Sequence, residues 1–278
     1  MSDPRLTPAR ADVAALSLKG TVAAARYAEG VTQQVWVGAS ALREAPTHAS
    51  RLETQVLQGE LFTVYDQAGG WCWGQAARDA YVGYVEAGDL TTQIIAPTHR
   101  VRVLRTLIFP APDIKSSPPQ FVSCNAKLAV ESLSDRFAKL VGGGYAIAAH
   151  LAPLDEVRSD WVATAELFLR TPYLWGGKDS FGIDCSGLVQ TALEAGGVST
   201  PRDSDLQEAA LGRALPHDIS KLQRGDLVFW PGHVGIMRSA SDLLHASGFH
   251  MMVEAEPLAE AAARIARSDG PISSLKRL

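Results

Sequence analysis

The chain has 278 residues, of which 46% are hydrophobic and 20% are charged, and its formal net charge is −4. This length fits one large domain or two to three small ones, and the composition is that of a globular protein with enough apolar residues for a core. Nucleic-acid binding needs a clustered basic face, which this charge balance does not indicate, so we expect no nucleic-acid partner.

The cysteine content and the N-terminal stretch both bear on the compartment. Cys72, Cys124 and Cys185 lie far apart, without a C-x-x-C pair of the zinc-ribbon type. Such a sparse, odd count is not a disulfide framework, and it fits a reducing compartment. The apolar stretch VAALSL is short and unlike the core of a signal peptide. No segment approaches the roughly 18 apolar residues of a membrane span. We expect a cytoplasmic protein that does not bind membranes, and we assume a monomer.

In chain order, the composition first predicts a helical segment and then two β-rich units. Residues 1–30 are rich in alanine, which favours a helix. From Val31, short β-type runs such as QVWVG and WCWGQ alternate with Gly, Asp and Pro. This pattern predicts a small all-β barrel over residues 31–95. Runs such as HRVRVLRTLIF and YAIAAHLAPL predict a second small barrel over residues 96–154.

From about residue 155 the apolar period becomes helical. The stretch EVRSDWVATAELFLR predicts an amphipathic helix that Thr171 and Pro172 end. Further along the chain, LVFW, HVGIM and LLHAS predict strands. We therefore predict an α+β domain over residues 155–278.

The stretch SFGIDCSGLVQ places Cys185 at a predicted helix start. Asp184 suits the N-cap position, because its carboxylate can accept backbone N–H groups of the first turn. An apolar stripe over residues 188–193 follows, and Gly196 and Gly197 supply the stop. The free N–H groups and the dipole of a helix start favour a thiolate, which is the nucleophilic form of cysteine.

Two downstream histidines offer the base that a nucleophilic cysteine needs. In an antiparallel hairpin, two residues that face each other are equally far along the chain from the centre of the turn. His233 and His245 would face each other if the turn were centred on residue 239. A three-residue loop at 238–240 would place the two side chains directly opposite each other. His233 is then the candidate base, and His245 fixes its tautomer and orientation. A slip of one residue would put them on opposite faces.

The residues alone leave other interpretations open. An isolated buried cysteine is usually inert packing, and an isolated strand histidine is usually just partly buried. Cys185, His233 and His245 could also hold a zinc ion with one open coordination position.

Three blocks closely resemble the NlpC-type family of papain-like cysteine peptidases. They are TPYLWGGKDSFGIDCSGLVQ, RGDLVFWPGHVGIM and LLHASG, and the resemblance covers about residues 158–258. It implies a papain-like domain, with a helix packed on an antiparallel sheet, in which Cys185 attacks, His233 is the general base and His245 orients it. It implies no cofactor and no metal. It also implies that Tyr173 lies near the oxyanion, to which the backbone N–H of Cys185 would donate.

The first half also resembles a known type of domain. LQGELFTVYDQAGGWCWGQ followed by YVGYV is similar to bacterial Src-homology-3-like domains, and the second β unit is similar but less clear. Two such domains before an NlpC-type domain resemble the γ-D-glutamyl-L-diamino acid endopeptidases. Those enzymes act on peptidoglycan stem peptides with a free N-terminal L-Ala, because the first barrel closes one end of the cleft.

A free ammonium group in a closed cleft needs a carboxylate and further acceptors. The candidates are Glu60 with Tyr81 from the first barrel, and Asp184 or Asp203 from the C-terminal domain. PRDSD resembles the family segment whose acid and serine contact the substrate. The full set of candidate substrate-binding residues is Tyr173, Asp184, Ser186, Asp203, Ser204, Glu60 and Tyr81.

We expect a cysteine endopeptidase that hydrolyses the bond between γ-D-glutamate and a diamino acid, diaminopimelate or lysine, in murein peptides. A chain without an export signal would meet fragments already taken up, so we expect a role in cell-wall recycling. An amidase or acyltransferase on the same scaffold, and a non-catalytic muropeptide-binding protein, stay as alternatives.

Overall fold

The computed structural model describes residues 3–117 and 120–278. By its internal contacts the chain divides into two compact units, Met1–Asp155 and Glu156–Leu278. The first unit is built almost wholly of short strands, and the second combines helices with one larger sheet. None of the helices in the described ranges is long and apolar enough to cross a membrane.

The first part of the first unit is a seven-stranded sheet with a small parallel pair beside it in sequence. The sheet order is β5-β4-β8-β7-β6-β3-β9, and all its ladders are antiparallel. The bounds are β1 Val13–Ala15, β2 Arg26–Ala28, β3 Val31–Val35, β4 Ala39–Arg43, β5 Leu52–Leu57, β6 Leu61–Ala68, β7 Trp71–Ala76, β8 Val82–Glu86 and β9 Leu90–Thr91.

Alternation of apolar and polar residues explains this sheet. Strand β4 buries every second residue, and β8 does the same, as expected where one face covers a core and the other meets water. The enclosed cluster includes Leu42, Val56, Phe62 and Val85, and Cys72 belongs to it as a buried apolar residue. A small β-rich domain was predicted for this stretch, and this is confirmed.

The helical segment predicted for residues 1–30 is wrong, and its first two residues lie outside the described part. The remainder holds the parallel pair β1–β2 and a short 3₁₀ turn, Leu16–Leu18. Tertiary contacts override the helix propensity of alanine here. The guanidinium of Arg10 lies 4.6 Å from the ring centre of Trp73 and bonds Asp66 and Tyr84, which fastens this segment to the seven-stranded sheet.

The second part of the first unit contains three small sheets around a separate apolar cluster. Their orders are β13-β10-β17, β11-β12 and β14-β15-β16. The cluster includes Val101, Val122, Leu128 and Leu151. The bounds are β10 His99–Val101, β11 Arg105–Ile108, β12 Gln120–Ser123, β13 Lys127–Leu128, β14 Val130–Leu133, β15 Phe137–Leu140, β16 Tyr145–Ile147 and β17 Leu151–Pro153.

The second unit is an α+β domain, as predicted. Its sheet has the order β18-β23-β19-β20-β21-β22, with every ladder antiparallel. The bounds are α1 Val162–Glu166, α2 Cys185–Ala195, α3 Ser204–Ala210, β18 Arg213–Ala214, β19 Leu227–Trp230, β20 His233–Met237, β21 Asp242–Ser247, β22 Met252–Pro257, α4 Leu258–Ile265 and β23 Ser274–Arg277. The three predicted strands LVFW, HVGIM and LLHAS are therefore confirmed.

Helix α1 is much shorter than the helix predicted from EVRSDWVATAELFLR. After Glu166 the backbone bonds run from residue i to i−3, as in Leu167 to Thr164 and Phe168 to Ala165, so the chain tightens into 3₁₀-like turns. Arg170 then takes a positive φ of 70°, which ends the helical path.

Two further helices position the site. The long helix α2 packs against β20 and β21, and α4 packs against β21 and β22.

Candidate active site

Asp184 caps helix α2, as predicted. Its Oδ1 accepts the backbone N–H of Gly187 at 2.7 Å, and its Oδ2 accepts the N–H of Gly176 at 2.8 Å. The first bond satisfies an N–H group that the helix itself leaves unpaired. The second bond ties the preceding loop to the helix start, so that Cys185 is held in the first turn of a fixed helix.

A buried arginine that the sequence reasoning missed completes this cap. Arg202 donates to both oxygens of Asp184, at 2.9 and 2.7 Å, and to Oγ of Ser186 at 2.8 Å. The Arg202 side chain is 1% exposed and that of Asp184 is 9% exposed. The carboxylate thus already binds two backbone N–H groups and one guanidinium. Binding of a substrate amine by Asp184 stays a prediction.

The loop before α2 packs tightly on its first turn. A Cβ added at Gly187 would lie 2.4 Å from the carbonyl oxygen of Gly177, so only glycine allows this approach. Tyr173 starts the same loop and is held by a bond from its N–H to the carbonyl of Met251. The backbone of Tyr173 also bridges that of Ile183, two residues before Cys185. Burial raises the pKa of the Tyr173 hydroxyl, and the charges of Cys185 and Asp184 act in the same direction.

The thiol of Cys185 is buried and surrounded by backbone donors. Burial raises the pKa of Cys185 to about 12, and the charge of Asp184 acts in the same direction. The N–H groups of Val234 and Ser186 and the charge of Arg202 oppose this rise, because they stabilise a thiolate. The bond from Val234 places the sulfur beside the strand residue that follows His233.

The two histidines meet as predicted, but the predicted register of their hairpin is wrong. The β20–β21 ladder pairs Ile236 with Leu244 and Met237 with Leu243, so the turn is centred on residue 240 and not on 239. His245 therefore faces Gly235 and stands diagonal to His233. A Cβ added at Gly235 would lie 2.6 Å from the Leu243 side chain and 3.3 Å from Cβ of His245. The observed partner of His245 is two residues away from the predicted one. Since side chains alternate between the faces of a sheet, both histidines stay on one face. The polar turn residues explain the shift, since Ser239 and Asp242 bond each other across the loop.

The two rings form a direct hydrogen bond. Nε2 of His233 lies 2.7 Å from Nδ1 of His245. Burial lowers the pKa of His233 to about 3, with the neighbouring His245 acting in the same direction. Burial also lowers the pKa of His245, while a bond to Glu256 opposes that change. A zinc ion bound by both nitrogens would need them about 3.3 Å apart or more, given Zn–N distances of about 2.0–2.1 Å in a tetrahedron. The observed pair fits a hydrogen bond instead.

Two further charged residues extend this chain of contacts, and neither was predicted. Nε2 of His245 lies 2.8 Å from Oε1 of Glu256 on β22, and Arg264 on α4 donates to Oε2 of Glu256 at 2.7 Å. Burial alone would raise the pKa of Glu256, but the bonds from His245 and Arg264 hold it below the usual range. The only sequence signal was the alternation in MVEAEP, which puts both Glu254 and Glu256 on the His245 side of the sheet.

Asp203 and Ser204 lie at the start of α3, beside the cysteine helix. Gln207 on α3 is fully buried and donates to the carbonyl oxygens of Ser186 and Pro201, both at 2.9 Å. Asp203 occupies the N-cap position of α3, and Ser204 is its first residue. Contact of either residue with substrate stays a prediction.

Glu60 and Tyr81 belong to the first unit and are buried there. Oε2 of Glu60 accepts the N–H of Leu57 at 2.9 Å, and Oε1 lies 3.5 Å from Nε of Arg78. The hydroxyl of Tyr81 lies 3.4 Å from a carboxylate oxygen of Glu53. Both side chains therefore have partners within their own unit, and their predicted role in amine binding stays a prediction.

Comparisons with known proteins agree with this arrangement. Residues 170–264 match the NlpC/P60 family, and residues 42–90 match the bacterial dipeptidyl-peptidase Sh3 domain. A γ-D-glutamyl-L-lysine dipeptidyl-peptidase of Bacillus cereus is 28% identical over 245 residues, which cover 76% of this chain and 72% of that protein. The γ-D-glutamyl-L-lysine dipeptidyl-peptidase of Bacillus subtilis is 27% identical over 230 residues, which cover 75% of this chain and 77% of that protein.

A solved structure shares the fold. The crystal structure of an NlpC/P60 family protein from Bacillus cereus superimposes with a TM-score of 0.75 at 23% identity, covering 88% of this chain and 99% of that one. The sequence matches extend over Cys185, His233 and His245, which the fold brings to one place. The chain thus joins a bacterial SH3 domain to a cysteine peptidase domain of the NlpC/P60 family.

Proposed function

We propose that this cysteine peptidase hydrolyses the bond between γ-D-glutamate and an L-diamino acid in peptidoglycan-derived peptides that begin with a free L-Ala. One observation carries the proposal. A cysteine at the capped start of a helix lies beside a strand whose histidine is hydrogen-bonded at 2.7 Å to a second, buried histidine. That set is what acyl transfer through a thioester requires.

The pKa values describe the free site at neutral pH. Because the pKa of Cys185 is raised to about 12 and that of His233 is lowered to about 3, both groups are neutral before substrate binds. The thiol therefore gives its proton to His233 as the sulfur attacks the γ-carbonyl carbon of D-glutamate. The C–N bond then breaks, and His233 returns the proton to the leaving amine. Water hydrolyses the remaining thioester, with His233 again accepting a proton.

The choice of substrate rests on the relatives and on the first unit. Two relatives that align over three quarters of this chain are named for the γ-D-glutamyl-L-lysine bond. The buried carboxylate of Glu60 and the hydroxyl of Tyr81 are the groups that we propose for binding the L-Ala ammonium. Cys72, Cys124 and Cys185 are all buried and form no disulfide bonds, as is usual in a reducing compartment. This supports our proposal that the enzyme acts in the cytoplasm, on peptides taken up for recycling.

The proposal predicts a narrow substrate range. The wild-type protein is incubated with L-Ala-γ-D-Glu-L-Lys and with the diaminopimelate analogue, and products are identified by mass spectrometry. We expect the dipeptide L-Ala-D-Glu and the free diamino acid. Two matched controls differ in one feature each, an α-linked D-glutamate and an acetylated N-terminus, and we expect about 100-fold lower kcat/KM for either, in line with the loss of one buried charged contact.

Equal turnover of the acetylated peptide would contradict the requirement for a free amine. Turnover of the α-linked peptide with none of the γ-linked one would contradict the proposed bond. If neither peptide is cleaved but both bind, the protein is a muropeptide-binding protein instead.

A further inference from the structure

We propose that Glu256 is a positioning residue of this peptidase site, which sets the tautomers of both histidines and thereby makes Nδ1 of His233 the proton acceptor. The proposal deepens the proposed function and rests on it for its kinetic consequences. Glu256 lies on β22, the strand at the edge of the sheet, and outside the sequence motifs that contain Cys185, His233 and His245.

The geometry places Glu256 at the end of an unbroken line of contacts. His245 pairs with Glu254 in the β21–β22 ladder, so Glu256 is its diagonal neighbour on the same face. The line runs from His233 to His245 at 2.7 Å and from His245 to Glu256 at 2.8 Å. Arg264 on α4 also holds the carboxylate, because its guanidinium donates to both oxygens of Glu256.

Hydrogen-bond chemistry then fixes where the protons lie. An ionised carboxylate only accepts, so Nε2 of His245 must carry the proton of the bond to Glu256. A neutral imidazole has one N–H, so Nδ1 of His245 is an acceptor, and Nε2 of His233 must donate to it. The remaining nitrogen of His233, Nδ1, is left with a free lone pair. This is the atom that can take the proton of Cys185.

The charges around His245 support this assignment. The groups that face it are His233 on β20, Glu256 on β22, Arg264 on α4, and His250 in the turn between β21 and β22. Nε2 of His250 lies 3.4 Å from Oε1 of Glu256, beyond a good hydrogen bond. His245 is 1% exposed, so its proton positions are decided by these neighbours and not by water. The bond between Arg264 and Glu256 keeps the carboxylate ionised and aimed at His245.

Glu254 offers a matched control on the same strand. It lies directly opposite His245 in the ladder, yet its carboxylate pairs with the exposed Arg170. A change from Glu to Met at 254 therefore removes the same charge, two residues away, from the same face. Any effect of strand packing or of net charge should appear in both variants.

The kinetic test compares Glu256→Met with Glu254→Met. We expect Glu256→Met to lower kcat about 10–100-fold, as is usual when a residue that orients a reactive group is lost, with KM changed less than about 2-fold. Glu254→Met should keep the wild-type kcat. Thermal unfolding followed by circular dichroism is the control that checks whether both variants are folded. Equal losses in the two variants, or a change confined to KM, would overturn the proposal.

A spectroscopic test does not depend on the substrate. Imidazole ¹⁵N shifts of the protein labelled at histidine report which ring nitrogen carries hydrogen, and His233→Gln and His245→Gln variants assign the signals. We expect both histidines of the wild type to be Nε2–H tautomers, and the signal of His245 to change in Glu256→Met. A wild-type His233 with hydrogen on Nδ1 would overturn the proposal, whatever peptide the enzyme cleaves.

The rate of alkylation of Cys185 by iodoacetamide gives a second substrate-free measurement. Removing the carboxylate weakens the stabilisation of the imidazolium that forms when His233 takes the thiol proton, so the thiol gives up its proton less readily as it reacts. We expect slower alkylation in Glu256→Met than in Glu254→Met. The two substrate-free measurements can therefore support the role of Glu256 even if the proposed peptides are not cleaved. Conversely, the peptides can be cleaved while these measurements contradict the role of Glu256.

Discussion

Replacing Cys185 with alanine is expected to lower kcat for L-Ala-γ-D-Glu-L-Lys by about 10⁴- to 10⁶-fold, the range seen when the nucleophile of a hydrolase is removed. The reason is that the remaining groups can bind and polarise the peptide but cannot form a thioester. The measurement is product formation over hours at high enzyme concentration. Substrate binding should survive, because the helix cap at Asp184 does not involve the sulfur.

The other cysteines provide the matched control. Cys72 and Cys124 are each 1% exposed within the first unit, and Cys72 packs in the apolar cluster of the seven-stranded sheet. Cys72→Ala and Cys124→Ala should keep the wild-type kcat, although each loses some stability through a small cavity. Hydrolysis by Cys185→Ala at the wild-type rate would show that the nucleophile lies elsewhere.

The second large effect is expected on stability. Arg202→Met should lower the free energy of unfolding by about 3–5 kcal/mol, the usual cost of removing one partner of a buried ion pair. The guanidinium is 1% exposed and binds both oxygens of Asp184, so its loss leaves a buried carboxylate without its cation. Urea unfolding followed by fluorescence measures the change. The variant should also react more slowly with iodoacetamide, because Arg202 lowers the pKa of Cys185 and Asp184 raises it.

Two variants make this prediction specific. Arg170→Met breaks the ion pair with Glu254, but the Arg170 side chain is 71% exposed, so we expect a change of about 0–1 kcal/mol. The double variant Asp184→Asn, Arg202→Met should be less destabilised than Arg202→Met alone, since no uncompensated charge remains. If Arg202→Met is as stable as the wild type, the buried pair of Asp184 and Arg202 contributes nothing to the stability of the fold.

Local rules predicted the surroundings of Cys185 well. The cap at Asp184, the start of α2 at Cys185 and the strands that carry His233 and His245 depend on short-range patterns, namely an N-cap residue and apolar runs bounded by turns. The meeting of the histidines was also predictable, because an error of two residues in the pairing keeps side chains on the same face. Which residue faces His245 did depend on the turn, where Ser239 and Asp242 set the register.

The failures have a common cause in contacts between distant residues. The alanine-rich N-terminus forms strands because Arg10 is bound by Asp66 and by the ring of Trp73, more than fifty positions away. Arg202 and Glu256 could not be assigned from the sequence for the same reason. Each is an ordinary charged residue until the fold puts it against a capped helix start or a buried histidine.

The most direct test of Cys185 as the attacking residue is covalent labelling with the chloromethyl ketone of L-Ala-γ-D-Glu. The sulfur of the attacking cysteine displaces chloride and forms a stable thioether, which peptide mapping by mass spectrometry can locate. We expect one equivalent of label, on Cys185 alone, with peptidase activity lost in proportion, and faster labelling than by the α-linked analogue. Label on Cys72 or Cys124, or full activity after Cys185 is labelled, would contradict this expectation.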